Sequence, residues 1–312
     1  MATSGNITFE QTRNQIIRTA FEHIRVAIEG EDLTAEQMQK GAVALNSLMK
    51  FWQAQGFHLW KLNQGWLFAK AGQYEYQLGA GGDLCASDIT HNTTLYKAYQ
   101  GYTQVYLKDG AKLPSAGDYI CLNVNGQVFS STVAAVADNA VTINDMLPCD
   151  ICPNADVWFF SKLIDRPLKI IQARRAQIGG TEIEMVNMAM DDYFRLPDKA
   201  QQGTPTSWNY QPTLERGTFR LWNAPYNNSF IIKFTYEQGF DIFEVSKDMP
   251  DIAPEWIEPL TWELAYRLSP YGGLELDERE WIKAQAKETL EQARNFDQET
   301  GSFNITPDNR GY

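Results

Sequence analysis

The chain has 312 residues, 44% hydrophobic and 12% aromatic, a composition that can bury an ordinary core and excludes a disordered chain. Acidic residues outnumber basic ones by 39 to 27, a net charge of -12, and no cationic run goes beyond Arg174-Arg175, so tight wrapping of nucleic acid is excluded. No stretch reaches the roughly 18 apolar residues of a membrane span, and Met1 to Thr8 has neither the basic region nor the apolar core of a secretory signal, which points to a cytosolic setting.

Residues 8 to 29 read as a helix, with Thr8 as N-cap, Gln11 three positions on, and Ile16, Ile17, Ala20, Phe21, Ile24, Ala27 and Ile28 on one face; Gly30 ends it. A second helix opens at Thr34, again with Gln37 three on, carries Met38, Ala42, Leu45, Leu48, Met49 and Trp52 as a stripe, and stops before Gly56. Strand patterns follow at Trp66-Leu67-Phe68 and Tyr74 to Leu78, and residues 84 to 160 hold a series of short strands, with Asn125-Gly126 and Asp138-Asn139 as tight turns. That segment predicts a small inserted barrel. Further strands are predicted at Arg166 to Ile171 and Glu182 to Met185, and three more at 206 to 211, 217 to 223 and 229 to 236. The last three alternate large residues (Trp208 and Tyr210; Phe219 and Leu221; Phe230, Ile232 and Phe234) and predict an antiparallel meander. Helical periodicity returns after Val245, where Asp251 can cap, Pro254 suits a first turn, and Trp256, Leu260, Leu264 and Leu268 share a stripe. A charged last helix from about Glu275 to Phe296 carries Trp281, and the tail from Asp297 to Tyr312 carries Phe303, Ile305 and Tyr312 as anchors.

The expected fold class is α+β: a helical bundle formed from N- and C-terminal helices, plus an antiparallel β region with an inserted small β-barrel. The expected divisions are 1–59 (helical hairpin), 60–250 (β region, barrel at about 84–160), 251–296 (C-terminal helices) and 297–312 (extended tail).

Chemistry-bearing patterns are sparse. Cys149-Asp150-Ile151-Cys152 has the spacing of half a zinc site or a redox pair, and Cys85 and Cys121 could complete four ligands; Pro148 and Pro153 bracket a turn, however, and no second close pair exists, so buried or turn thiols are the default. His23, His58 and His91 have no companion at ligand or triad spacing, and Gly79 to Gly82 lacks the residues a phosphate cradle needs, so no cofactor is expected. Glu182 with Glu184, Asp191 with Asp192, and Asp248 with Asp251 are carboxylate pairs of the kind a glycoside hydrolase uses, though such pairs arise by chance in an acidic chain. Of nine tryptophans, Trp52, Trp256 and Trp262 fall inside amphipathic helices, where packing is the plainer reading than a sugar platform.

In order along the chain, an N-terminal helical hairpin, Gly56-Phe57-His58-Leu59-Trp60, Arg166-Pro167-Leu168-Lys169-Ile170, Tyr193-Phe194-Arg195-Leu196-Pro197-Asp198-Lys199, Gln202-Gly203-Thr204-Pro205, Gly217 to Trp222, and Pro254-Glu255-Trp256-Ile257 leading to Leu264 to Leu268 make the whole chain resemble the head-to-tail adaptors of short-tailed bacteriophages, also called tail accessory factors or tail tubular protein A-like ring proteins. Cys149-x-x-Cys152 departs from what that family's barrel segment would hold. The resemblance implies a non-enzymatic virion protein assembled in the host cytoplasm, with no membrane partner. It implies a homo-oligomeric ring, commonly of about twelve copies, under the portal protein. That ring receives the tail nozzle protein and passes DNA without sequence-specific binding. On that analogy residues 275 to 312 dock on the portal, with Trp281, Phe296, Phe303, Ile305 and Tyr312 as interface residues. The alternatives are a virion-associated cell-wall or polysaccharide hydrolase and a carbohydrate-binding tail component.

Overall fold

Two Thr-x-x-Gln boxes start the first two helices. Thr12 Oγ1 accepts the Gln15 N–H at 3.4 Å while Gln15 Oε1 accepts the Thr12 N–H at 2.8 Å, and Thr34 and Gln37 repeat the exchange at 3.3 and 2.8 Å. The computed structural model describes residues 11–27, 32–56, 62–108, 112–250 and 252–296. In it α1 spans Arg13–His23 and α2 spans Ala35–Gln55, ending on Gly56 in the left-handed conformation. The first helix is thus shorter than periodicity suggests. The expected cap at Thr8 lies outside the described residues, the box in use is the next one along, and Arg25 at φ 56° turns the chain out of the helix.

The strands follow in order: β1 Leu62–Phe68, β2 Glu75–Leu78, β3 Cys85–Ala86, β4 Thr90–Thr93, β5 Gln104–Tyr106, β6 Tyr119–Val124, β7 Gln127–Ala137, β8 Ala140–Ile143, β9 Asp156–Phe160, β10 Lys169–Gln177 and β11 Glu182–Asn187. A short helix, α3 Met190–Arg195, precedes β12 Gln202–Gly203, β13 Ser207–Pro212, β14 Gly217–Trp222, β15 Ala224–Pro225 and β16 Phe230–Glu237. One 3-10 turn, Pro254–Trp256, leads into α4 Ile257–Leu268, and α5 spans Leu276–Phe296.

The expected α+β class is corrected: the protein is mostly β. Sixteen strands stand beside five α-helices among the described residues, in an eight-stranded sheet (β2-β14-β13-β11-β10-β16-β1-β3), a six-stranded sheet (β4-β9-β6-β7-β8-β5) and the pair β12-β15. The fold is therefore no helical bundle with a small barrel inserted in a meander. Short strands such as β3, β4, β12 and β15, of two to four residues, are too short to show a period of two, so counting periodic runs understates the β content. The expected meander is corrected as well. β13 and β14 pair antiparallel, but β14 then pairs with β2, while β16 lies between β10 and β1, and β11 meets β13 in parallel.

The chain divides into two compact units, Met1–Trp60 with Phe240–Tyr312, and Lys61–Gly239. In the helical unit, Ile16, Phe21, Leu48, Trp52, Trp256 and Leu264 belong to one buried core drawn from α1, α2, α4 and α5, which Phe240 and Phe243 also enter. In the β unit, Phe219 of β14 stacks on Phe234 of β16 with centroids 5.6 Å apart. Those strands are separated in the sheet by β13, β11 and β10, so the sheet curls until its concave side is closed by aromatic rings. Gly65 permits this, because a Cβ there would fall 2.6 Å from the Phe234 ring. The six-stranded sheet has its own core of Val105, Leu107, Ile120, Leu122 and Val157, and its outer strands meet at the bridge Thr94–Leu107. A third cluster, with Phe68 against Trp158 and Phe160, seals one sheet onto the other.

Candidate functional site

A groove of about 360 Å³ opens on the helical unit between the end of α1 and the first turns of α5, lined by His23, Arg25, Leu274, Asp277, Glu278, Trp281 and Ile282. The turn before α5 brings these elements together: a Cβ on Gly272 would sit 3.0 Å from the Ile24 carbonyl oxygen, so glycine lets the two backbones approach. One wall is a ladder of rings. His23 stacks flat on Trp262 at 3.9 Å, and Trp262 meets Trp281 edge-to-face at 5.6 Å. Trp281 keeps 56% of its surface exposed. At the rim Arg25 pairs with Glu278 at 2.7 Å. Arg25 is largely solvated and Glu278 half-buried, so the pair adds little stability.

Burial holds His23 below its ordinary value of 6.5, against the opposing pull of Glu22 and Glu258. The unfolded chain therefore takes up a proton at a higher pH than the native state does. This contribution to stability is present above about pH 6.5 and is lost as the pH falls below it. A guanidinium denaturation midpoint that drops between about pH 7 and pH 5, with His23→Gln showing the smaller drop, is the expected result; an unchanged drop in the variant would remove His23 as its source.

A second apolar surface lies between α2 and α4, a groove of about 430 Å³ lined by Gln39, Lys40, Val43, Ala44, Ser47, Arg267, Leu268 and Tyr271. Val43 is 65% exposed and Tyr271 58%. Lys40 lies 5.1 Å from the Tyr271 ring centroid, and Arg267 covers the neighbouring Phe51 at 5.0 Å. The α2 stripe gave no hint of this surface, although Val43 and Phe51 stand off it, which was the available signal.

Of the expected interface residues, only the Trp281 side chain is described, and it forms a groove wall. Phe296 closes α5 with its side chain outside the described residues, where Phe303, Ile305 and Tyr312 also lie. The four cysteines do not assemble. Cys85 is buried in the core of the curled sheet and Cys121 between the sheets, with burial pushing both thiols well up; Cys149 is half-buried with its Sγ 3.2 Å from Asn125 Nδ2, and Cys152 is exposed. No group of three or more metal-ligating side chains occurs among the described residues. The carboxylate pairs are tied elsewhere. Glu182 is held low by a hydrogen bond from Lys233, with Arg174 at 3.5 Å, which is the opposite of a raised general acid. Asp192 pairs loosely with Arg195 at 3.9 Å, Asp248 accepts the N–H groups of Glu244 and Val245, and Asp251 lies outside the described residues.

The arrangement defines a mostly β chain whose helical unit presents two unlike apolar grooves. No protein-family model matches the chain, and no curated protein matches it. Among solved structures, VP17, a capsid protein of bacteriophage P23-77, is similar over 57% of this chain and 83% of its own at 11% identity, with a TM-score of 0.12. At that score the likeness carries no argument about fold or function.

Proposed function

We propose that the protein is a non-enzymatic structural part of a short-tailed phage virion, a head-to-tail adaptor that closes into a ring beneath the portal, receives the tail nozzle and lets DNA pass. The observation that carries this reading is the pair of unlike apolar surfaces on the helical unit, one around Trp281 and Leu276 (56% and 69% exposed) and one around Val43 and Tyr271 (65% and 58% exposed). Exposed apolar patches mark contact sites, and a subunit with two different ones joins head to tail, the contact that generates a closed ring when the rotation closes. The net charge of -12 suits a channel component, because like charge repels phosphate and keeps a passing duplex from adhering. The order of motifs that resembles the adaptor family supplies the portal and nozzle as partners.

The test is negative-stain imaging of the purified chain mixed with portal protein. Rings seated on the portal are expected, and Val43→Glu, which puts a charge in one groove, is expected to leave single subunits. A chain that stays monomeric beside assembled portal would defeat the reading.

A further inference from the structure

The segment from the end of β4 to the end of β5 carries four exposed tyrosines, Tyr96, Tyr99 and Tyr102 in the connection and Tyr106 as the last residue of β5, at 59%, 51%, 60% and 39% exposure. Its backbone is firmly tied down. Leu95 N–H donates to Tyr106 at 2.7 Å, Ala98 exchanges hydrogen bonds with Ile151 at 3.1 and 2.8 Å, Gly101 donates to Leu147 at 2.9 Å, and Leu147 donates to Tyr102 at 3.0 Å. Val105 and Leu107 point into the core of the six-stranded sheet with no exposure, so the period of two sends Tyr106 outward. The rings are braced in pairs: Tyr96 against Tyr106 at 5.7 Å and Tyr99 against Tyr102 at 5.9 Å, both edge-to-face at 71°. Edge-to-face bracing fixes each ring and leaves ring faces open.

We infer that this tyrosine surface is a docking site for a protein partner that presents arginine side chains, a role that is independent of the adaptor reading. The chain holds an internal example of the chemistry. Lys97 Nζ sits 4.8 Å from the centroid of Tyr99 and 2.8 Å from Asp150 Oδ2, a cation shared between a ring face and a carboxylate. Asp150 also accepts the Gln100 N–H at 2.9 Å, so that carboxylate is fixed in place. Two further exposed carboxylates flank the tyrosines. Asp138 stands two residues before Ala140, which pairs with Tyr106, and Asp145 stands two before Leu147, which bonds Tyr102; Lys108 opposes them. With Lys97 already paired to Asp150, Asp138 and Asp145 are the exposed carboxylates left beside these turns, and Asp145 Oδ2 accepts the Ser131 hydroxyl at 2.8 Å. A planar, weakly hydrated guanidinium stacks on open ring faces better than an ammonium does. Tyrosine brings large contact area with little rotamer entropy to lose, the property that favours it in recognition surfaces.

The experiment titrates hexa-arginine and hexa-lysine into the full chain at roughly 150 mM salt, where long-range attraction is screened. Hexa-arginine is expected to bind at least about three-fold more tightly than hexa-lysine, a contrast that charge alone does not produce. Tyr96→Ala and Tyr102→Ala are each expected to weaken hexa-arginine by about two- to five-fold, while Tyr102→Phe, which keeps the ring face, binds as the parent does. Equal affinity for the two peptides would overturn the inference. So would full hexa-arginine affinity in the alanine variants, or retention of the neutral polysaccharide dextran in place of the peptide. The peptide contrast is read on the unaltered chain, so it stands even where a variant fails to fold.

Discussion

Trp52→Ala is expected to destabilise the helical unit by about 3–5 kcal/mol, the usual cost of deleting a fully buried aromatic side chain. Trp52 has no exposed surface and lies edge-to-face with Trp256 at 5.5 Å. Its neighbours Leu45, Leu48, Met49, Leu260 and Leu264 are equally buried, on the capped helix α2 and on α4 packed in the same core, so little can move to fill the cavity. The indole also donates from Nε1 to Glu263 Oε2 at 2.7 Å. Trp52→Phe separates the two effects. It keeps much of the apolar volume but leaves that carboxylate oxygen without this donor, for a cost of about 1–3 kcal/mol. The measurement is guanidinium denaturation followed by helix ellipticity. A loss below about 1 kcal/mol for the alanine variant would mean that the indole is not at the centre of the core.

The helical part of this arrangement was largely readable in the sequence because its signals are local. A capping box, a stripe of one period and a terminal glycine place α2 within a residue or two, and Trp256, Leu260, Leu264 and Leu268 place the apolar face of α4. Even there the choice between Thr8-x-x-Gln11 and Thr12-x-x-Gln15 could not be made from pattern, since the two boxes are equivalent in sequence. The β part failed for the opposite reason. Alternation in Phe230, Ile232 and Phe234 tells which side of β16 is buried but says nothing about its neighbours, and those neighbours, β1 and β10, are far from it along the chain. Pairing of that kind is decided by the three-dimensional closure of the sheet.

The candidate surfaces divide in the same way. Trp281 was legible as an apolar residue on a charged helix, whereas its groove needs His23, Arg25 and Leu274 from distant positions. Glu182 resembled half of an acid pair only while Lys233, 51 residues away, was not beside it. Tyr96, Tyr99 and Tyr102 drew no notice because they lie between strands, where no period marks them, and Tyr106 ends a strand of only three residues.

Phe219→Ala is expected to remove about 3–5 kcal/mol from the β unit, and toward the upper part of that range. Phe219 has no exposed surface; across β14 it faces Tyr76 on one side and Tyr210 on the other, and its ring stacks on Trp208 at 5.8 Å and on Phe234 at 5.6 Å. Phe234 in turn packs on Tyr236 at 5.7 Å and lies over Gly65. These rings span the concave side of the curled sheet, so Phe219 links strands that share no ladder hydrogen bonds. A cavity there is walled by paired strands, which relax less than a loop would, and the cost rises with the volume left empty. The contrast is Leu214→Ala, at a side chain 93% exposed in the turn between β13 and β14, which is expected to change stability by no more than about 0.5 kcal/mol. Both variants are compared by urea denaturation followed by tryptophan emission. If Phe219→Ala cost no more than Leu214→Ala, the aromatic closure of the sheet would not be what holds its distant strands together.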